Sequence, residues 1–185
     1  MNVALRRRMT IEDLLVWEER QPERREVDGF QPVAMVGGTE RHTVIVGNVF
    51  MKLRQRPRGG PCRPYFESLN IVAAGSIRYP DVFVACGPTP GTAMIANNPV
   101  VVFKVLSPST TRTDVVVKNR EYRETPSIMR YVLFAQDGIG LTIPERRGDD
   151  WLATSLTDPE ATLDMPEIGA RPPIAAFHED VTFEP

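Results

Sequence analysis

The 185-residue sequence predicts a mixed α/β domain: one central β-sheet flanked by helices. Three observations carry this. Residues 40–55 place apolar side chains at helical spacing along one face. The stretch PVVVFKVL, 99–106, is nearly continuous in β-branched and aromatic residues, as a central strand buried on both faces requires. Helical and strand signals then alternate in the order helix, hairpin, helix, three strands, helix, strand, hairpin, which gives a sheet covered by helices. No interdomain linker interrupts the pattern, so residues 9–185 read as one domain and 1–8 as a flexible N-terminal tail.

The elements follow in order. Thr10 and Asp13 resemble a helix-capping box, which starts a helix over about 11–20. Asp28-Gly29, inside EVDGFQPVAM, marks a hairpin turn, because such a turn wants positive φ at its central residues. In the second helix His42, Ile45, Val46, Val49, Phe50 and Leu53 form the apolar stripe, and Gly59-Gly60-Pro61 ends it. Arg41, Lys52, Arg54, Arg56 and Arg58 decorate its outside and exit. Strands are predicted over 64–74, 78–86 and 99–106, with a Pro/Gly/Thr-rich loop before the last. SPSTTRTD turns into a helix of about 112–124, IMRYVLF is a further buried strand, and LTIPERR with DWLATSL forms a hairpin. Pro144 favours an edge position for its strand. The proline-rich segment 158–185 is expected to wrap the surface.

A formal charge of -2 and a pI of about 5.8 exclude a mainly electrostatic nucleic-acid binder, though not a local basic cleft. Cys62 and Cys86 lack metal-ligand spacing and read as reduced, semi-buried thiols. The arginines of MNVALRRRMT precede no apolar core of a signal peptide, and no apolar run approaches ~18 residues. The expectation is a cytoplasmic protein without a membrane segment.

Metal-assisted phosphodiester cleavage calls for oxygen ligands around a hard cation, Mg²⁺ or Mn²⁺, with a basic side chain nearby. Asp81, following Pro80 at a strand start, suits a rim ligand and equally a solvated strand-end aspartate. Lys104 shares a strand face with Val102 and Leu106, where a lone charge needs a partner or must snorkel out. Asp114, Lys118 and Tyr122, spaced four apart, line one helix face; a surface ion pair beside a packed tyrosine gives the same pattern. His42, at the head of the apolar stripe, suits the core as well as a site. Ser107, Ser109 and Thr110 are ordinary helix-entry residues, and no G-x-S-x-G occurs.

Together MTIEDLLVWEE, EVDGFQPVAM, GGTERH, IRYPDVFVACG, VVVFKVLSPSTTRTD, VKNREYRETPSIMRYVLF and DMPEIG make the chain resemble the Uma-type restriction-endonuclease-like proteins of the PD-(D/E)xK nuclease superfamily, over about residues 9–184. The resemblance implies the restriction-endonuclease-like fold, Mg²⁺- or Mn²⁺-dependent cleavage of DNA, and pairing as a homodimer. It implies that Asp81 is the metal-binding aspartate of the superfamily motif and that Lys118 is a helix-borne catalytic lysine, with Asp114, Tyr122 and His42 in support. Two positions depart from the pattern. Lys104 stands where the family usually has a second metal-binding glutamate, and Arg25 stands where another glutamate is usual, with Glu26 one residue later as the candidate ligand. A one-residue slip turns a strand side chain to the opposite face. An ammonium ~4 Å from a divalent ion is repelled by up to roughly 8 kcal/mol at an effective dielectric of ~20. The expectation is therefore a metal-free Lys104–Asp81 ion pair. In an active endonuclease Lys118 or Lys104 would stabilise the developing phosphate charge; the alternative is an inactive relative that binds nucleic acid or protein.

Overall fold

The computed structural model describes residues 13, 16–17, 25–28, 31–34, 38–55, 59–66, 69–107 and 112–183. The fold is α/β on a central mixed sheet of six strands. These are β3 (Cys62–Phe66), β6 (Val82–Cys86), β7 (Pro99–Val105), β8 (Arg130–Phe134), β9 (Leu141–Arg147) and β10 (Asp150–Leu156), in spatial order β10-β9-β8-β7-β6-β3. Only β7 and β8, at the centre, run parallel. A smaller antiparallel sheet, β2-β1-β5-β4, joins β1 (Arg25–Asp28), β2 (Gln31–Ala34), β4 (Ile71–Ala73) and β5 (Ser76–Arg78). Helix α1 spans Glu40–Arg54, and a π-helical turn, Thr113–Lys118, runs straight into helix α2, Asn119–Glu124.

Strand alternation divides the core. Val82, Val84, Val101, Phe103, Val105, Val132 and Phe134 face α1, whose Ile45, Val46, Val49 and Leu53 complete that layer. Phe83, Ala85, Val102, Tyr131 and Leu133 face the other side, with Tyr122 of α2 and Ile71 and Ala73 of β4. Lys104 follows the parity of Val102, so it projects from the α2 side of the sheet.

Several expectations change once pairing is known. The stretch 64–74 is not one strand. It divides into β3 of the large sheet and β4 of the small one. Residue 78 likewise ends β5, and β6 begins only at Val82. The β4–β5 hairpin turns at Ala74 and Gly75, whose φ values of 47° and 81° are both positive; Ala-Gly is a poor signature for such a turn, because alanine is strained there. Asp28 pairs with Gln31 across the β1–β2 hairpin, and Gly29 of the expected turn lies outside the described residues. Strand β9 lies inside the sheet and β10 is the edge. Pro144 is tolerated there because the β8–β9 pairs fall at Thr142 and Glu145, on either side of it. The helix expected over 112–124 is α-helical only in its second half.

The C-terminal segment is more than a surface wrap. Leu163, Met165, Ile168, Ile174 and Phe177 enter the core beside Phe134. The cysteines are not reduced thiols. Register sets Cys62 directly opposite Cys86, and they form a disulfide. Of the first predicted helix, Asp13, Val16 and Trp17 are helical, and Thr10 lies outside the described residues. No described helix is long and apolar enough to cross a membrane.

Candidate active site

Pairing of β6 with β7 aligns Val82 with Phe103 and Phe83 with Val102. One further step of that register sets Asp81 opposite Lys104. Lys104 is the penultimate residue of β7. The two side chains therefore meet at the carboxyl end of the central parallel pair, the end where open α/β sheets commonly hold ligands. The Lys104 Nζ donates to Asp81 Oδ1 at 2.8 Å and to Oδ2 at 3.1 Å. The Val105 backbone N–H donates to the same Oδ2 at 2.7 Å.

Helix α1 brings the third member. Thr39 caps it by accepting from the His42 backbone N–H. Its first turn is tied to the end of β8, since the Thr39 hydroxyl donates to Gln136 Oε1 at 3.2 Å and Arg41 donates to the Gln136 carbonyl at 3.0 Å. This directs the His42 Nε2 to 3.3 Å from Asp81 Oδ2. Gly38 leaves room for the ring: a Cβ there would lie 2.7 Å from His42 Nδ1. The positive end of the helix dipole adds a smaller attraction for the carboxylate.

Burial disfavours the charge on Asp81, but the His42 hydrogen bond and the nearby Lys104 ammonium outweigh it and hold the carboxyl below its ordinary value. Asp81 is therefore ionised, with its oxygens already engaged. A divalent cation would have to displace the ammonium from the carboxylate it needs. Among the described residues no group of three or more His, Cys, Asp or Glu side chains could hold a metal ion. Glu26 pairs with Val33 through its backbone, and its side chain lies outside the described residues. The described side chains do not fit a Mg²⁺ or Mn²⁺ site centred on Asp81.

Asp114 and Lys118 form a separate pair on the π-helical turn, 3.0 Å apart. It is no surface pair, because both side chains are buried. The contact is electrostatic in character: neither Asp114 oxygen receives an aligned hydrogen bond. Tyr122 packs edge-on against Tyr131, ring centroids 4.8 Å apart, in the core below.

Sequence reasoning missed a buried network beside this helix. Arg78 grips Glu121 through two donors, Nε and Nη2, each at 2.7 Å, and the Ser76 hydroxyl donates to Glu121 at 2.9 Å. The available signal was an arginine between Ile77 and Tyr79 in an otherwise apolar stretch, a charge that burial obliges to find a partner.

The profile of the Uma2 family, described as "Putative restriction endonuclease", matches residues 11–170. An uncharacterized protein of Synechocystis sp. is 29% identical over 180 residues, covering 95% of this chain and 94% of its own. A crystal structure from Anabaena variabilis, described as a putative nuclease belonging to DUF820, superposes with a TM-score of 0.73 over 92% of this chain and 97% of that one. Its identity of 17% makes that likeness one of fold.

Proposed function

The chain belongs to the Uma2 family, and from that premise we propose that it is a DNA-directed protein of the endonuclease class in which an internal ion pair has taken the place of the metal site. Hydrolysis of phosphodiesters by the metal-dependent route is suppressed at Asp81. One observation carries this reading: the Lys104 ammonium contacts both oxygens of Asp81.

The chemistry follows from charge. A bound divalent ion would polarise the phosphate and supply an activated water. Lys104 supplies a single positive charge, and Asp81 consumes it. Asp81 cannot serve as a base while three donors hold its oxygens. Lys104 cannot clamp a phosphate while it neutralises a carboxylate. His42 has its Nε2 turned to Asp81 and its Nδ1 against Gly38, so its ring is a brace for the aspartate.

The test is a plasmid-nicking assay with Mg²⁺ or Mn²⁺. Wild type should leave supercoiled DNA intact. Lys104→Glu, which returns a second acid to the site, should nick it, and adding Asp81→Ala should abolish that gain. Lys104→Glu should also show a metal-dependent rise in melting temperature that wild type lacks. Cleavage by the wild type that Asp81→Ala removes would overturn the proposal. Salt-sensitive DNA binding by the wild type is expected without cleavage.

A further inference from the structure

We propose that the Cys62–Cys86 disulfide is a redox-responsive fastener of the sheet edge, which a dithiol reductant opens to release β3. The inference is independent of what Asp81 does.

Among the described residues strand β3 is the outermost strand of the large sheet, and β6 is its one neighbour there. Their ladder runs from Cys62↔Cys86 to Phe66↔Val82, so the disulfide closes one end. The other end is held by Phe66, whose ring lies 4.4 Å from that of Phe50 on α1. At the cysteine end the inner pairing of β6 with β7 is irregular. The β6–β7 register slips between Val84 and Ala85, and β7 begins at Pro99, which has no N–H to give. There the Asn98 side chain and backbone bridge to Cys86, at 3.0 and 3.1 Å, and Gly87 donates to the Pro61 carbonyl at 2.9 Å.

The disulfide therefore closes one end of the β3–β6 ladder, next to the Gly87–Pro61 hydrogen bond. Both cysteines are only partly buried. Accessible disulfides are the ones most open to exchange. The step is a two-electron exchange. One thiolate of the reductant attacks a protein sulfur and breaks the S–S bond. Its second thiol then displaces the mixed disulfide, leaving Cys62 and Cys86 as thiols and the reductant as a disulfide. The freed β3 would expose unpaired backbone groups along β6, the kind of edge that other strands can join.

Hydrogen–deuterium exchange on the whole protein tests this, with air-oxidised and dithiothreitol-treated samples compared. The unfolded oxidised protein should show no free thiols, and the reduced protein two. Reduction should speed exchange in peptides covering β3 and the end of β6 by about tenfold or more, leave α1 and β8 unchanged, and reverse on reoxidation. The Cys62→Ser/Cys86→Ser variant should exchange at the reduced rate in both samples. If that variant does not fold, the wild-type reduction and reoxidation cycle suffices. Two free thiols in the air-oxidised protein, unchanged exchange at β3, or an acceleration spread evenly over α1 and β8 would each overturn the proposal.

Discussion

Glu121, buried, and Asp81, part-buried, are both carboxylates beside a cation, yet they are built differently. Glu121 is held by the planar fork of Arg78 and by Ser76, and the Arg78 and Glu121 side chains are 1% and 7% exposed. Asp81 is held by the point charge of Lys104 at the rim of the sheet, where Asp81, Lys104 and His42 are 11%, 15% and 17% exposed. A guanidinium cannot lose its proton and satisfies a carboxylate in one fixed geometry; an ammonium on a four-carbon stem can swing towards water. The first cluster bolts α2 to the small sheet. The second sits at the rim, where solvent is near both partners.

Four substitutions probe that contrast, from the largest effect to the smallest. Glu121→Ala removes the carboxylate to which Nε and Nη2 of the buried Arg78 donate and should cost about 3–5 kcal/mol in urea unfolding. A cost near that of a surface change would erase the distinction. Asp81→Asn should cost about 1–3 kcal/mol, since water can reach the released ammonium. Its pH dependence has a definite sign. The folded Asp81 carboxyl titrates below its unfolded value of 3.8, so its stabilisation is fully present above that value and is lost as pH falls through the lower folded one. The stability gap between wild type and Asp81→Asn should shrink with acidification over that window, as urea midpoints measured at a series of pH values would show. Gly38→Ala should push the His42 ring away from Asp81 at about 1 kcal/mol, visible as a shift of the His42 ring resonances with little loss of fold. Lys52→Ala removes an open pair with Glu179, whose side chain is 57% exposed, and should change stability by less than about 0.5 kcal/mol.

The sequence by itself determined the fold class, helix α1, the buried strands β7 and β8 and the β9–β10 hairpin, because periodicity and β-branched runs are local properties of the chain. It also determined that Lys104 stands in an apolar strand and needs a partner. Tertiary structure alone decided who meets whom. Cys62 and Cys86 are 24 residues apart and became a disulfide only through register. Arg78 and Glu121 were illegible as a pair, being 43 residues apart on different elements. The C-terminal segment joined the core through a few apolar residues among prolines, with no periodic signal to announce it. Pairing between elements distant in the chain depends on strand order, which arises from the packing of the whole chain and not from a local pattern of residues.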